Sequence, residues 1–388
     1  MVNKRRDNNA RPPHEPASMR VLHVGPGQGQ RGGIASVLAE LGAQRARFLH
    51  AGVMLAIFET HGFQSLRSLL CFLLVDIPCF LFALLKGVDL IHFHVSVRGS
   101  FYRKFMLYLL ARLCGKKTIF HLHAGNFQYF WTRSGSATRK AVLCFIRGAD
   151  AVVAVSSAIA AELRIHQGVA HDLHVIGNTA YSAELAAGAA LQDFPSATGT
   201  DAMPYVAFAG RFTEGKGLDE LLRAVASLNR QGIEVELRLA GAGDMARWNR
   251  AAIDCGVSER VRFVGWLQGD AKLAFYRDAA VFCMPSHFEA FGISTLEAMF
   301  IGRPVIGTRV GGFLDLVEEG VTGYLVRCGD ADELAERIRQ VVESPDLARA
   351  MGRQAVSRAL SRYSVDAIVG QYVRCYRKVG DSQRERLI

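Results

Sequence analysis

The 388-residue chain has no Cys-x-x-Cys pair, and its eight cysteines (Cys71, Cys79, Cys114, Cys144, Cys255, Cys283, Cys328 and Cys375) sit inside apolar runs. Metal-ligand spacing is therefore missing, and cysteine so placed behaves as a small hydrophobe, which points to a reducing compartment without structural zinc. No apolar stretch follows the basic cluster KRR near the start. The first 19 residues are thus expected to be a disordered tail and not a signal peptide. Charged residues make up only 21%, while half the residues are apolar and 38 are glycine. That balance excludes intrinsic disorder, a coiled coil and a collagen-like chain, and suits an α/β protein of two or three domains.

Charge is present in excess on one side only. Residues 1–180 carry 21 Lys+Arg against 9 Asp+Glu, whereas residues 181–388 carry 25 against 27. A front half at net +12 attracts polyanions: nucleic acid, anionic lipid or a diphosphate-bearing lipid. Nucleic acid is disfavoured, because the basic residues are not interleaved with an aromatic platform and no recognition motif is present.

Structure is expected to begin at RVLHVGPGQGQRGGIASVLAELGAQ, a strand, a glycine loop and a helix. Further strands fit VMLAIFE, DLIHFHV, KTIFHLH, AVVAVS and LHVIGN, with helical stretches between several of them. Alternation of this kind implies a parallel, doubly wound sheet with ligand loops at the carboxyl ends of its strands. The small, patternless stretch 181–203 marks a boundary. A second series follows, over YVAFAG, VELRLAG, VRFVGW, AVFCMP, PVIGT and GYLV. The division is therefore a tail at 1–19, an N-terminal Rossmann-like domain at 20–200, a C-terminal domain at 201–355, and a helix and tail at 356–388 with DSQRERLI frayed.

Leu66 to Leu85 is apolar and long enough to span a bilayer, but Arg67 and Asp76 interrupt it and Pro78 weakens the helix. A buried helix feeding DLIHFHV is the expectation, with partial contact to a membrane surface as the alternative. On a helix over 101–117, Lys104, Arg112 and Lys116 share one wedge, a candidate surface for anionic lipid.

GQGQRG at 27–32 fits the dinucleotide pattern, yet the acidic residue expected about 20 residues later is not in place: Glu59 lies 27 beyond Gly32. A backbone-amide lip for phosphate at Gly32 and Gly33 fits better than a nicotinamide site. GRFTEGKG at 210–217 nearly spells a Walker A loop, but Gly217 stands where the Mg²⁺-binding hydroxyl belongs, leaving Arg211 and Lys216 beside a helix start where a diphosphate could lie. In MPSHFEAFGISTLEAMF, Glu289 and Glu297 flank a Phe291-Gly292-Ile293 turn that should open the helix carrying Glu297. Its amides suit a phosphate or sugar oxygen and its carboxylates suit vicinal hydroxyls. Asp330-Ala331-Asp332 has the DxD form of a metal-binding carboxylate pair but directly precedes a helix, so it is expected to be a cap, with no essential metal.

Taken together, GQRGGIASVLAEL, HLHAG at 121–125, ADAVVAVSSAIAAEL, VIGN, FAGRFTEGKGLDELLRAV, LAGAGD, VRFVGW and the E-x7-E stretch followed by GRPVIGTRVGG resemble the retaining family-4 glycosyltransferases of GT-B fold, in matching order. The resemblance implies two Rossmann-like domains facing across a cleft, with a C-terminal helix placed to cross back to the first. It implies that Arg211 and Lys216 bind the donor diphosphate and Glu297 the ribose. Glu289 would meet the transferred sugar, the amides of Phe291, Gly292 and Ile293 would complete the cradle, and Gly33 would close it from the other domain. The active-site histidine maps to His123, with His121 as runner-up. An acidic residue often follows it in the family; here Asn126 and Gln128 stand instead.

The expected activity is retaining hexosyl transfer from a UDP- or GDP-linked sugar to a hydroxyl acceptor, lipid-linked or glycan, in exopolysaccharide, capsule or lipopolysaccharide synthesis, with no cofactor. The expected location is the cytoplasmic membrane face, held peripherally by anionic lipid. Rival readings are a sugar-phosphate epimerase on the same scaffold and a nucleic-acid-binding protein.

Overall fold

The computed structural model describes residues 18–27, 32–62, 65–169, 172–180 and 203–381. Of the expected tail at 1–19, residues 1–17 lie outside the described residues, but Met19 already belongs to the first strand. Also outside are 28–31 of the glycine loop, 181–202 of the boundary stretch 181–203, and 382–388 of the expected frayed end, whose first residue, Asp381, closes the last helix.

Strands and helices alternate to build two parallel six-stranded sheets. The first contains β1 (Met19–Pro26), β2 (Val53–Thr60), β3 (Leu90–Val95), β4 (Lys117–Leu122), β5 (Ala151–Ala154) and β6 (Leu173–Val175), in the order β2-β1-β3-β4-β5-β6. The second contains β7 (Tyr205–Phe212), β8 (Glu236–Gly243), β9 (Val261–Gly265), β10 (Val281–Met284), β11 (Val305–Thr308) and β12 (Gly323–Val326), in the order β12-β11-β10-β7-β8-β9. Each apolar run expected as a strand is one. Every residue of β3 and β10 is buried, as a parallel sheet covered by helices on both faces requires. The strand order reverses between β1 and β3 and between β7 and β10, so a crevice opens at the carboxyl ends of each pair, and loops from both crevices meet.

The helix Pro345–Tyr363 stays on the second domain, where Gly352 comes so close to the Gly302 carbonyl that no Cβ would fit. The next helix, Val365–Asp381, returns to the first. The Tyr376 hydroxyl lies 2.8 Å from His23 Nε2, Lys117 donates to the Val379 carbonyl, and Lys378 pairs with Asp172. The crossing therefore starts at Ser364, between two helices, and not at 356.

Three expectations are corrected. Leu66–Leu85 is helical throughout, with a π-helical turn at Phe72–Asp76, but it is not a buried helix. Only the four-spaced row Phe72, Asp76, Phe80 and Leu84 is buried, while Leu66, Leu70, Leu74, Phe82 and Leu85 are exposed, Leu74 at 72% and Leu85 at 83%. Asp76, the residue that argued against lipid, turns inward and accepts from His61 N at 2.7 Å. The Lys104, Arg112 and Lys116 wedge is not a cationic surface. Lys104 is fully buried, its ammonium within 3.4 Å of Ser100 Oγ, and burial pulls its pKa down to about 7; Arg112 bonds Asp150 and Lys116 bonds the Val88 carbonyl. The cysteines, all free, are not uniformly core: Cys283 and Cys375 are buried, but Cys79, Cys114, Cys144 and Cys328 are exposed.

Candidate functional site

A cleft of about 360 Å³ lies between the domains, with Gly32, Gly33 and Ser36 on one side and Arg211, Lys216, Glu289, Ile293 and Glu297 on the other. Its size is that of a small-molecule site. Gly33 opens the helix Gly33–Ala43 with Gly32 as its cap, and a Cβ on Gly33 would lie 3.5 Å from Ile293 Cδ1 across the cleft. A Cβ on Gly32 would lie 3.7 Å from Arg211 Nη2. The lip thus faces Ile293 at Gly33 and the Arg211 guanidinium at Gly32, at distances that would also admit a Cβ.

Arg211 ends up beside this lip because β7 runs on to Phe212, and Lys216 follows in a single 3₁₀ turn, Glu214–Lys216. Gly217 then takes φ +71 against the Pro285 carbonyl, which leaves no room for a side chain. Lys216 Nζ stands 2.7 Å from Glu289 Oε2, a half-buried ion pair at the cleft. After Glu289 the chain passes Phe291, whose ring is buried against Tyr363, so that this residue offers backbone and not ring to the cleft. Gly292 at φ +100 caps the helix Ile293–Phe300, and the amides of its first turn face the ligand side with the positive end of the helix dipole.

Glu297 is buried one turn further along that helix. Its Oε1 lies 2.5 Å from Lys272 Nζ, and its Oε2 accepts the Tyr276 hydroxyl at 2.7 Å. Burial and the carboxylate together push the Tyr276 pKa well above its usual range, so the hydroxyl keeps its proton and holds Glu297 in place. Lys272 and Tyr276 were not foreseen from the sequence. Their four-residue spacing puts them on one face of the helix Gly269–Arg277, but nothing in the pattern says which helix that face meets.

His123 follows β4 directly, and its amide donates to the Val95 carbonyl at 2.9 Å. Two residues on, Gly125 touches the second domain: a Cβ there would lie 2.7 Å from Ala290 N and 2.8 Å from the Glu289 carbonyl carbon. That contact brings the loop after His123 against Glu289. His121, on the same face of β4, is fully buried and pairs with His92 at 2.9 Å, away from the cleft. Gln128 has a buried Oε1 with no hydrogen-bond partner among the described residues. Asp330 caps the helix Ala331–Glu343, accepting from Glu333 N at 2.8 Å, and neither it nor Asp332 lines the cleft.

Comparison with known proteins agrees with this geometry. Residues 31–180 match the family model for Glycosyltransferase Family 4, and residues 193–358 match that for Glycosyl transferases group 1. The alpha-D-kanosaminyltransferase of Streptomyces kanamyceticus is 24% identical over 74% of this chain and 77% of its own length. The lipopolysaccharide core biosynthesis glycosyltransferase LpsE of Rhizobium meliloti is 34% identical over 60% of this chain, and the match spans 65% of that protein. Among solved structures, sucrose-phosphate synthase from Thermosynechococcus elongatus superposes with a TM-score of 0.74 at 23% identity, covering 94% of this chain and all of the other. Anabaena HepE in complex with UDP and glucose superposes at 0.70 and 20% identity, covering 93% of this chain and all of that one.

Proposed function

Because the chain belongs to the family-4 glycosyltransferases of GT-B fold, we propose that it transfers a hexosyl unit from a nucleoside-diphosphate sugar to a hydroxyl acceptor with retention at the anomeric carbon. The observation that carries this reading is the cleft itself: two cations and a helix N-terminus lie between two carboxylates, under a glycine lip from the other domain. Arg211, Lys216 and the amides after Gly292 meet the diphosphate. As negative charge builds on the departing phosphate, these fixed positive groups stabilise it in a site shielded from water. Glu289, exchanged by Lys216 for the diphosphate, turns to the hydroxyls of the sugar, and Glu297 accepts from the ribose. The acceptor proton passes to the leaving phosphate on the same face, so no carboxylate is required as general base. Relatives of UDP-binding structure support a uridine nucleotide over a guanosine one. A thermal-shift screen of UDP, GDP, ADP and their sugar conjugates, followed by the anomeric configuration of the product by NMR, tests the reading. No shift with any nucleotide, or an inverted product, overturns it.

The acceptor is lipid-linked and the protein sits on the cytoplasmic membrane face. Support comes from the exposed side of Leu66–Leu85 and from the exposed Met106, Leu109 and Leu113 of the helix Gly99–Leu113, which packs against it. With Phe72, Asp76, Phe80 and Leu84 packed inward, the helix lies in the interface plane and does not span. Leu70→Glu with Phe82→Glu abolishes sedimentation with vesicles while nucleotide binding persists; wild-type protein that ignores vesicles of every composition points to a soluble acceptor.

A further inference from the structure

Behind His123 a single file of hydrogen bonds runs through the interior of the first domain. His123 Nε2 lies 2.8 Å from His94 Nδ1, and His94 Nε2 lies 2.9 Å from His23 Nδ1. His23 Nε2 lies 2.8 Å from the Tyr376 hydroxyl, which is also 3.1 Å from His92 Nδ1. His92 Nε2 then lies 2.9 Å from His121 Nδ1. The file exists because β1, β3 and β4 are adjacent and in register, His23 opposite His92 and His94 opposite His121, and because the returning helix inserts Tyr376 between its two halves. His23, His92, His94 and His121 are wholly buried, whereas His123 is partly exposed. It is not among the residues lining the cleft of about 360 Å³, but the loop that follows it packs through Gly125 against Glu289, which does line it. Burial drives all five imidazoles to their neutral form, with His23 and His123 lowered to about 3. Tyr376 keeps its proton for the same reason.

A neutral imidazole has one N–H and one lone pair, and a phenol has one O–H. No two protons and no two lone pairs can face each other, so the file admits three arrangements. If every bond points from His123 towards His121, His121 Nε2 carries an N–H; that atom is buried with no partner among the described residues. If both halves donate to Tyr376, its own O–H is left over in the core. If every bond points towards His123, no buried proton is unspent, and the only unmet atom inside is a lone pair on His121 Nε2. Buried donors without acceptors are the rarer and costlier defect.

We propose that the file is polarised towards the cleft, so that Tyr376 acts as a positioning residue that fixes His123 as the tautomer with its N–H on Nδ1, presenting a hydrogen-bond donor to an oxygen of the bound nucleotide sugar. The use of that donor rests on the proposed transferase reading; the tautomer does not. His92, His94 and His121 also bring nitrogens within 4.8 Å of one another, a grouping that could hold a metal ion. The bonds of the file already use those nitrogens, apart from His121 Nε2.

The test is long-range ¹H–¹⁵N correlation spectroscopy of histidine-labelled protein near pH 7, with His123→Asn used to assign the His123 signals. The expected spectrum places the proton of wild-type His123 on Nδ1. In Tyr376→Phe the His123 shifts move towards an average of the two tautomers, and kcat falls by roughly tenfold with donor KM little changed. A wild-type His123 protonated on Nε2 overturns the proposal. So does a Tyr376→Phe protein with unchanged shifts and kcat, or stoichiometric zinc in protein purified without added metal. If no nucleotide sugar binds but the wild-type spectrum is as expected, the transferase reading has failed and the polarised file stands.

Discussion

Both domains are parallel six-stranded sheets, ordered β2-β1-β3-β4-β5-β6 in the first and β9-β8-β7-β10-β11-β12 in the second, and they bury polarity in different ways. In the first, the sheet carries a neutral file of histidines, with Asp76, Arg103 and Lys104 buried elsewhere; in the second, the buried polarity is carboxylates held by cations: Glu236 by Arg238 and Arg262, Glu220 by Arg223, Glu289 by Lys216 and Glu297 by Lys272. The difference follows from what each faces. A domain that binds an anion needs fixed charges whose partners can be exchanged for phosphate, whereas a domain that presents one donor to that ligand needs direction without net charge. The chain as a whole is basic, but its excess lies entirely in residues 1–180, and no described Lys or Arg of that part lines the cleft.

The largest expected effect breaks the first domain and spares the second. Histidines whose folded pKa is depressed stay neutral while the unfolded chain takes up protons below about 6.5, so their contribution is present above that pH and is lost as pH falls towards the folded value near 3. Each wholly buried histidine contributes about 1.4 kcal/mol per pH unit, and four give a slope on the order of 5 kcal/mol per unit below pH 6. Hydrogen exchange at pH 5 should show β1, β3 and β4 opening before β7 and β10. Uniform protection of both sheets at that pH would mean the histidines are not held neutral.

Next in size is the exchangeable cation. Lys216→Ala should lower kcat by about 10² to 10³, the loss expected when one group stabilising developing negative charge is removed. A change confined to KM would make Lys216 a binding group only. Smaller again is Glu297→Gln, which keeps the shape but removes the charge between Lys272 and Tyr276. Nucleotide affinity should weaken by about tenfold, read by calorimetry, with kcat at saturation nearly intact. Unchanged affinity would refute the ribose contact.

What could be read in the sequence, and what could not, divides along the same physical line. Apolar runs of strand length declare themselves, so all twelve strands were legible, as was the Gly292 turn that opens the helix of Glu297. Direction across the fold was not. A helical wheel places Lys104, Arg112 and Lys116 together but does not say that Lys104 faces the sheet. Hydropathy marks Leu66–Leu85 as apolar but does not say that its apolar side faces out. Alternation in LIHFHV and KTIFHL puts His92 with His94 on one face of β3, and His121 on one face of β4. Joining them to His23 requires the strand order, and joining the halves requires a helix from the far end of the chain.

The smallest effect sharpens the contrast within the second domain, between carboxylates that await a ligand and one that only holds the backbone. Asp330 accepts from Glu333 N and pairs with Arg327 at 2.6 Å, on the surface and outside the cleft. If its work is capping, Asp330→Ala removes one acceptor from the first turn of the helix Ala331–Glu343 and should cost about 1 kcal/mol in a denaturation midpoint. Turnover should be unchanged, and it should survive EDTA, because no step of transfer passes through this residue. A metal ligand would behave in the reverse way: turnover would collapse while stability stayed, and Mn²⁺ would restore the EDTA-treated wild type but not the variant. Measuring midpoint and turnover on the same Asp330→Ala preparation separates the two, since only capping moves the first without the second.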